Sequence, residues 1–250
     1  MNILLTIAYD GTNYCGWQNQ LNGVTVQQRL EEALAELYGR TVSVVGASRT
    51  DAGVHALGQR AMFNIDEKDI QIPINKLPYA VNNNLPEDIS VNYAEIAIDN
   101  FHPIFSAKAK TYEYKLYISP FINPFLKNYY CHIKHSLDLT AMKKAATYII
   151  GEHNFAAFCA SGSSTKTTVR TVFSLDIEDN NFHGVRVIAF RVRGNGFLYN
   201  MVRIIAGTLI YVGEGKINAD KIPEIILSKE REKAGKTAPP QGLTLIKAEY

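Results

Sequence analysis

Val42-Ser43-Val44-Val45-Gly46 and Leu57-Gly58-Gln59-Arg60-Ala61-Met62-Phe63-Asn64-Ile65 are two short apolar runs separated only by a polar loop, Ala47–Ala56. Two strands in succession, with no helix between them, decide the fold. Upstream, Met1–Tyr9 reads as a strand ended by Asp10-Gly11. Thr25-Val26-Gln27-Gln28 fits a capping box, in which the Thr hydroxyl accepts an amide while Gln28 reaches back. Behind it Val26, Leu30, Ala33, Leu34 and Leu37 recur at helical spacing, and Gly39 offers a left-handed stop. Downstream, a helix is expected from Pro73 to about Asn84, with Pro78 inside it, followed by a strand over Ile89–Ala97. The order is βαββαβ, the ferredoxin-like unit.

The second half repeats that order. Ala107–Ser119 places Tyr112, Tyr114, Leu116 and Ile118 on one face of a strand, and a helix runs from about Leu139 to Ile150 with Asp138 as its cap and Gly151 after it. Val169–Glu178 and Gly184–Arg193 form two strands around Asp179-Asn180-Asn181. Phe197–Val212, apolar almost all round, is a buried helix. A short helix, Ala219–Ser228, and a strand, Leu243–Tyr250, close the chain. The expectation is an α+β fold of two ferredoxin-like (RRM-like) βαββαβ halves, residues 1–103 and 104–250, with antiparallel sheets packed side by side around a central cleft. The repetition is one of pattern, without self-similarity in sequence.

At 250 residues the chain has room for one large or two small domains. Hydrophobic residues make up 46% and charged residues 20%, ordinary for a packed chain and incompatible with disorder. No apolar run approaches the ~20 residues that span a bilayer. The N-terminus lacks the basic start of a signal peptide, and three scattered cysteines cannot form a disulfide framework. The chain therefore reads as soluble and cytoplasmic, with no membrane partner. Its net charge of +2 hides a split. Residues 1–100 hold six basic against twelve acidic residues, whereas 101–250 hold twenty against twelve. Such asymmetry points to a polyanionic partner or, equally, to a solvated basic face.

Several motifs fail on inspection. Lys166-Thr167 follows Gly162-Ser163-Ser164-Thr165, but the glycines that a phosphate loop requires are replaced by Thr165 and Ala160. Gly194-Asn195-Gly196 begins a dinucleotide pattern that Tyr199 breaks. Cys131 to His135 lacks a matching Cys or His pair, so no metal is expected.

The segment richest in chemistry is Ser48-Arg49-Thr50-Asp51-Ala52-Gly53-Val54-His55-Ala56. Its spacing leaves two readings open. Asp51 caps a turn and pairs with Arg49, or it is a carboxylate kept ionised beside a cation and usable as a nucleophile.

This segment resembles the Arg-Thr-Asp-Ala-Gly-Val-His-Ala signature of the tRNA pseudouridine synthase A family. Tyr9-Asp10-Gly11-Thr12 with Gly16-Trp17-Gln18-Asn19-Gln20, Leu85-Pro86-Glu87-Asp88-Ile89, Lys110-Thr111-Tyr112-Glu113-Tyr114, Val169-Arg170-Thr171, Asn195–Arg203 and Gly242-Leu243 extend the resemblance over nearly the whole chain. One departure is Ser48, where many members carry Gly.

The resemblance implies cofactor-free isomerisation of uridine to pseudouridine at positions 38 to 40 of the tRNA anticodon stem-loop, with the uridine flipped out of its stack. It also implies a homodimer whose two clefts share one tRNA. Asp51 matches the nucleophile and Tyr112 the active-site tyrosine, whose ring would stack on uracil and whose hydroxyl would help move the C5 proton. Arg49 would fill the space left by the flipped base or steer a phosphate. Arg203, a cation in an apolar helix, needs an anionic partner, and Asp51 of the other half is the expected one. Trp17 and Gln18 either line the cleft or, for Trp17, fill the core. Lys166, Arg170, Arg186, Arg191 and Arg193 are candidates for phosphate contacts.

Two rivals remain. An RNA-binding protein with RRM-like sheets would carry Gly-Phe-x-Phe motifs, which the chain lacks. A nucleoside glycosidase would release free base, and it needs two carboxyls where one is evident.

Overall fold

The computed structural model describes residues 1–66, 69, 72–162 and 165–250. Ser163 and Ser164 of the rejected phosphate-loop stretch lie outside them. The fold is α+β, and the chain divides into two compact units, Met1–Lys108 with Thr244–Tyr250, and Ala109–Leu243.

In the first unit β1 (Asn2–Tyr9) is followed by α1 (Val26–Tyr38), β2 (Val44–Gly46), β3 (His55–Asn64), α2 (Leu77–Asn82) and β4 (Ile89–Ile96). Strand β1 lies antiparallel between β4 and β3, and β2 continues antiparallel along β3. Helix α1 starts as its cap foretells, with Thr25 Oγ1 accepting the Gln28 amide at 3.3 Å, a bond whose loss costs about 1 kcal/mol. The reciprocal half of the capping box is replaced, because Gln28 gives its side-chain amide to Glu32 at 2.8 Å. Gly39 ends the helix at φ 66°. The expected helix over Pro73–Asn84 is instead a 3-10 turn, Ile74–Lys76, leading into α2. Pro78 sits in the first turn of α2, where its missing N–H has no partner to lose. Ile3, Leu5 and Ile7 of β1, Phe63 of β3, Val91 of β4 and Leu30 and Leu34 of α1 are buried in the core.

The second unit holds β5 (Ala109–Ile118), β6 (Cys131–Ile133), α3 (Leu139–Ile149), β7 (Gly151–Asn154), β8 (Val169–Phe182), β9 (Val185–Gly194), α4 (Met201–Gly213) and α5 (Ile222–Ser228). Its antiparallel order is β5-β9-β8-β7, with β6 parallel to β5. Strands β6 and β7 are additions to the expected pattern. Gly151, expected only to stop α3, opens β7 at φ 116°. The β8–β9 hairpin does not turn at Asp179-Asn180-Asn181. Those residues stay in β8, and His183 and Gly184 make the two-residue turn at φ 47° and 83°, the left-handed pair whose twist suits a tight hairpin. Helix α4 starts four residues later than expected, because Asn200 adopts φ 59° and breaks helical geometry there.

The last strand, β10 (Leu243–Glu249), differs most from expectation. It runs parallel to β3, pairing Thr244 with His55 and Leu245 with Ala56, so the C-terminal residues join the first unit. The sheets are therefore not purely antiparallel. The first unit runs as far as Lys108, whose amide donates to the Glu249 carbonyl at 2.8 Å. Among the described residues no helix is long and apolar enough to cross a membrane.

Gly207 in α4 marks the tightest approach. A Cβ there would lie 1.7 Å from the Lys236 carbonyl oxygen, a backbone atom. Alanine normally favours a helix by about 1 kcal/mol over glycine. Here overpacking should outweigh that gain, so Gly207→Ala is expected to destabilise the protein by about 2 kcal/mol or more in urea unfolding.

Candidate active site

Asp51 sits on the loop between β2 and β3, half-buried, with Arg49 exposed and Ser48 and Thr50 buried. The segment after β1 braces this loop on both sides of the aspartate. The Trp17 amide donates to the Thr50 carbonyl at 3.1 Å, and the Gly53 amide donates to the Tyr14 carbonyl at 3.3 Å. Tyr9 Oη and Thr50 Oγ1 share a buried hydrogen bond of 2.7 Å. Val54 N–H closes the turn onto the Asp51 carbonyl at 3.1 Å, with Gly53 at φ 75°. Upstream, Gln59 brackets Ser48 by accepting from its amide at 3.2 Å and donating to its carbonyl at 2.7 Å. The Ser48 hydroxyl itself is buried with no hydrogen-bond partner among the described residues.

The brace requires glycine at two positions. A Cβ on Gly11 would lie 2.0 Å from the Val54 carbonyl oxygen. One on Gly16, at φ 90°, would lie 2.5 Å from that of Thr50. His55 ties the far end of the loop to the same segment. Its Nδ1 is 3.1 Å from both the Gly11 amide and Asp10 Oδ1, so this nitrogen accepts from the amide when bare and donates to the carboxylate when protonated. Behind the brace, Tyr14 Oη donates to Asp88 Oδ1 at 2.5 Å, and burial together with that carboxylate raises the phenol pKa.

Trp17 is 2% exposed. Its indole packs against Gly46 and stacks on Tyr9 at 6.0 Å. Of its two open roles, filling the core beneath the loop is the one the structure displays. Gln18 is exposed next to it.

In the second unit Tyr112 lies on β5 opposite Val192 and is 8% exposed, with the Phe197 ring edge-on at 5.3 Å. Lys110, two residues earlier on the same face, has its ammonium pKa pushed down to about 8 by burial. Arg203, in the first turn of α4, is half-buried; its Nε donates to the Ala238 carbonyl at 2.8 Å and its Nη1 to Asn200 Oδ1 at 2.7 Å. Arg193 pairs with Thr111 in register, which puts it on the opposite face from Tyr112, stacked on Phe173 at 5.1 Å. Arg170 donates to the Thr167 and Val169 carbonyls, and Lys166 is exposed. Arg186 and Arg191 are committed to surface ion pairs with Asp179 at 2.8 Å and Glu113 at 2.7 Å. Sequence reading missed the support around these groups, namely Thr50, Gln59, Lys110 and Asn200. Only the capacity of Asn for left-handed backbone signalled any of them.

A sequence model of the family described as tRNA pseudouridine synthase matches residues 5–106 and 145–250. The chain is 52% identical over 249 residues to a tRNA pseudouridine synthase A of Thermoanaerobacter sp. (strain X514), covering 100% of this chain and 99% of that protein. It is 50% identical over 251 residues to the one from Ruminiclostridium cellulolyticum, covering 99% of each. The protein of the same name from Bacillus pumilus is 43% identical over 252 residues, covering 100% of this chain and 99% of its own. The chain belongs to the tRNA pseudouridine synthase A family.

For a tRNA pseudouridine synthase the brace has a direct consequence. The loop that carries Asp51 is held by backbone bonds, so its course depends on the glycines that let two backbones meet. Gly16→Ala should lower pseudouridine formation by about tenfold or more, since a misplacement near 1 Å can cost about 10²-fold. The check is turnover measured beside a far-ultraviolet spectrum that reports an intact fold.

Proposed function

We propose that this isomerase converts uridine to pseudouridine at positions 38 to 40 of the tRNA anticodon stem-loop, with Asp51 as the attacking carboxylate. In the reaction the N1–C1′ bond of the uridine breaks and a C5–C1′ bond forms. C5 gives up a proton and N1 gains one, so no oxidant, reductant or metal enters the balance. A carboxylate suits this chemistry because it adds covalently and then leaves. The observation that carries the reading is the double backbone brace on Thr50 and Gly53, which flanks Asp51 and nothing else of comparable reactivity.

In this proposal Arg203 is the cation that pairs with Asp51, keeps it ionised and sets its direction. Tyr112 stacks on the extruded uracil and helps move the C5 proton, while Arg49, exposed on the loop, enters the gap left by the base or steers a phosphate. Lys166, Arg170 and Arg193 contribute phosphate contacts, which position RNA without reading its sequence, and Gln18 lines the substrate site. Trp17 acts from beneath the loop. Each unit is read as a ferredoxin-like half, supported in the first by the strand order β4-β1-β3-β2. The reading also carries a cytoplasmic homodimer that shares one tRNA.

Tritium release from tRNA labelled as 5-³H-uridine tests the reading and its rivals together. Wild type should free tritium and retain the base in the chain, and Asp51→Ala should free none. Release of free uracil would make the protein a glycosidase, and tRNA binding without tritium release in wild type would make it a silent binder. Arg203→Ala should lose nearly all turnover with tRNA affinity largely kept. Affinity itself should fall steeply with added salt, since phosphate contacts release counterions.

A further inference from the structure

We infer that Asn200 is a positioning residue for the isomerisation, its side-chain carbonyl setting the plane in which Arg203 meets the reacting carboxylate. The inference rests on the assignment of Arg203 to Asp51 made above. Asn200 immediately precedes α4 with φ 59° and ψ 7°, a left-handed conformation that few residues other than glycine tolerate. An Asn in that place ordinarily turns its side chain onto an amide of the first helical turn. Here it caps no amide. Its main-chain carbonyl still accepts from Ile204 N–H at 2.9 Å, so the helix begins normally, while Oδ1 accepts from Arg203 Nη1 at 2.7 Å.

Arg203 is gripped a second time by Ala238. The Arg203 Nε donates to the Ala238 carbonyl at 2.8 Å, and the Ala238 amide donates to the Arg203 carbonyl at 3.0 Å. Acceptors on two different nitrogens of a planar fork fix its plane. Both acceptors are neutral, so the guanidinium keeps its charge for an anion. The left-handed turn is itself held from outside. Asn195 accepts from the Thr171 amide at 2.9 Å and donates its own amide to the Thr171 carbonyl at 3.0 Å, and the Tyr199 carbonyl accepts from the Ala160 amide at 3.1 Å. The 195–200 turn thus transmits the rigidity of β8 to one catalytic cation.

Asn200→Gly tests this cleanly, because glycine keeps the left-handed turn and removes only the acceptor. Single-turnover pseudouridine formation on an anticodon stem-loop should fall by about tenfold to 10²-fold, with substrate affinity within about threefold of wild type. In the Arg203→Ala background Asn200→Gly should add no further loss. Wild-type turnover in Asn200→Gly beside near-complete loss in Arg203→Ala overturns this inference alone, as does a weakened affinity with unchanged turnover. Wild-type turnover in Arg203→Ala overturns the assignment beneath it.

Discussion

The fixed point of the molecule is the pair of backbone hydrogen bonds that hold the loop around Asp51, from Trp17 to Thr50 and from Gly53 to Tyr14. A loop presented by a sheet is free to adopt many conformations unless its backbone is committed elsewhere, and ordering each residue costs about 1–2 kcal/mol. Here the segment after β1 supplies that commitment. Gly11 and Gly16 let the two backbones approach closer than any Cβ allows, Tyr9 anchors Thr50 from below, and Trp17 fills the space under Gly46. A buried aromatic pair therefore underlies a half-buried acid, and the most apolar part of the first unit fixes the course of the loop that carries it.

The second unit solves the same problem with different means. Its cation projects from α4, a helix buried almost throughout, and is clamped by neutral oxygens of Asn200 and Ala238. The stretch that supplies Ala238 is locked to α4 by close packing at Gly207 and by Thr208 Oγ1, which accepts from the Gly235 amide at 2.9 Å. Tyr114, beneath Tyr112 on β5, donates to the Pro239 carbonyl at 2.9 Å and extends the same scaffold. In the first unit main-chain bonds brace the loop that carries Asp51, and in the second a main-chain carbonyl and a neutral side-chain oxygen hold the Arg203 guanidinium. Such support does not respond to salt and survives changes of pH.

Much of this was legible in the sequence because it depends on local rules. Helix α1 with Thr25 and Gly39, helix α3 with Asp138, and the alternation along β5 follow from capping and periodicity alone. The loop carrying Asp51 stood out by composition. What escaped was non-local or decided by competition. The parallel pairing of β10 with β3 joins residues nearly 200 apart in sequence, and no local pattern encodes it. The Asp-Asn-Asn run looked like a turn, yet register with β9 held it in β8 and passed the turn to His183-Gly184. Short strands such as β6, three residues long, carry too few positions to show a period. The role of Asn200 was hidden because a helical apolar pattern ran through it.

A crystal structure with an anticodon stem-loop measures the central claim most directly. The account predicts the target uridine out of its stack, with C6 or C1′ about 3.5 Å or less from an Asp51 carboxylate oxygen. A uridine that stays stacked while Asp51 faces bulk water would contradict it.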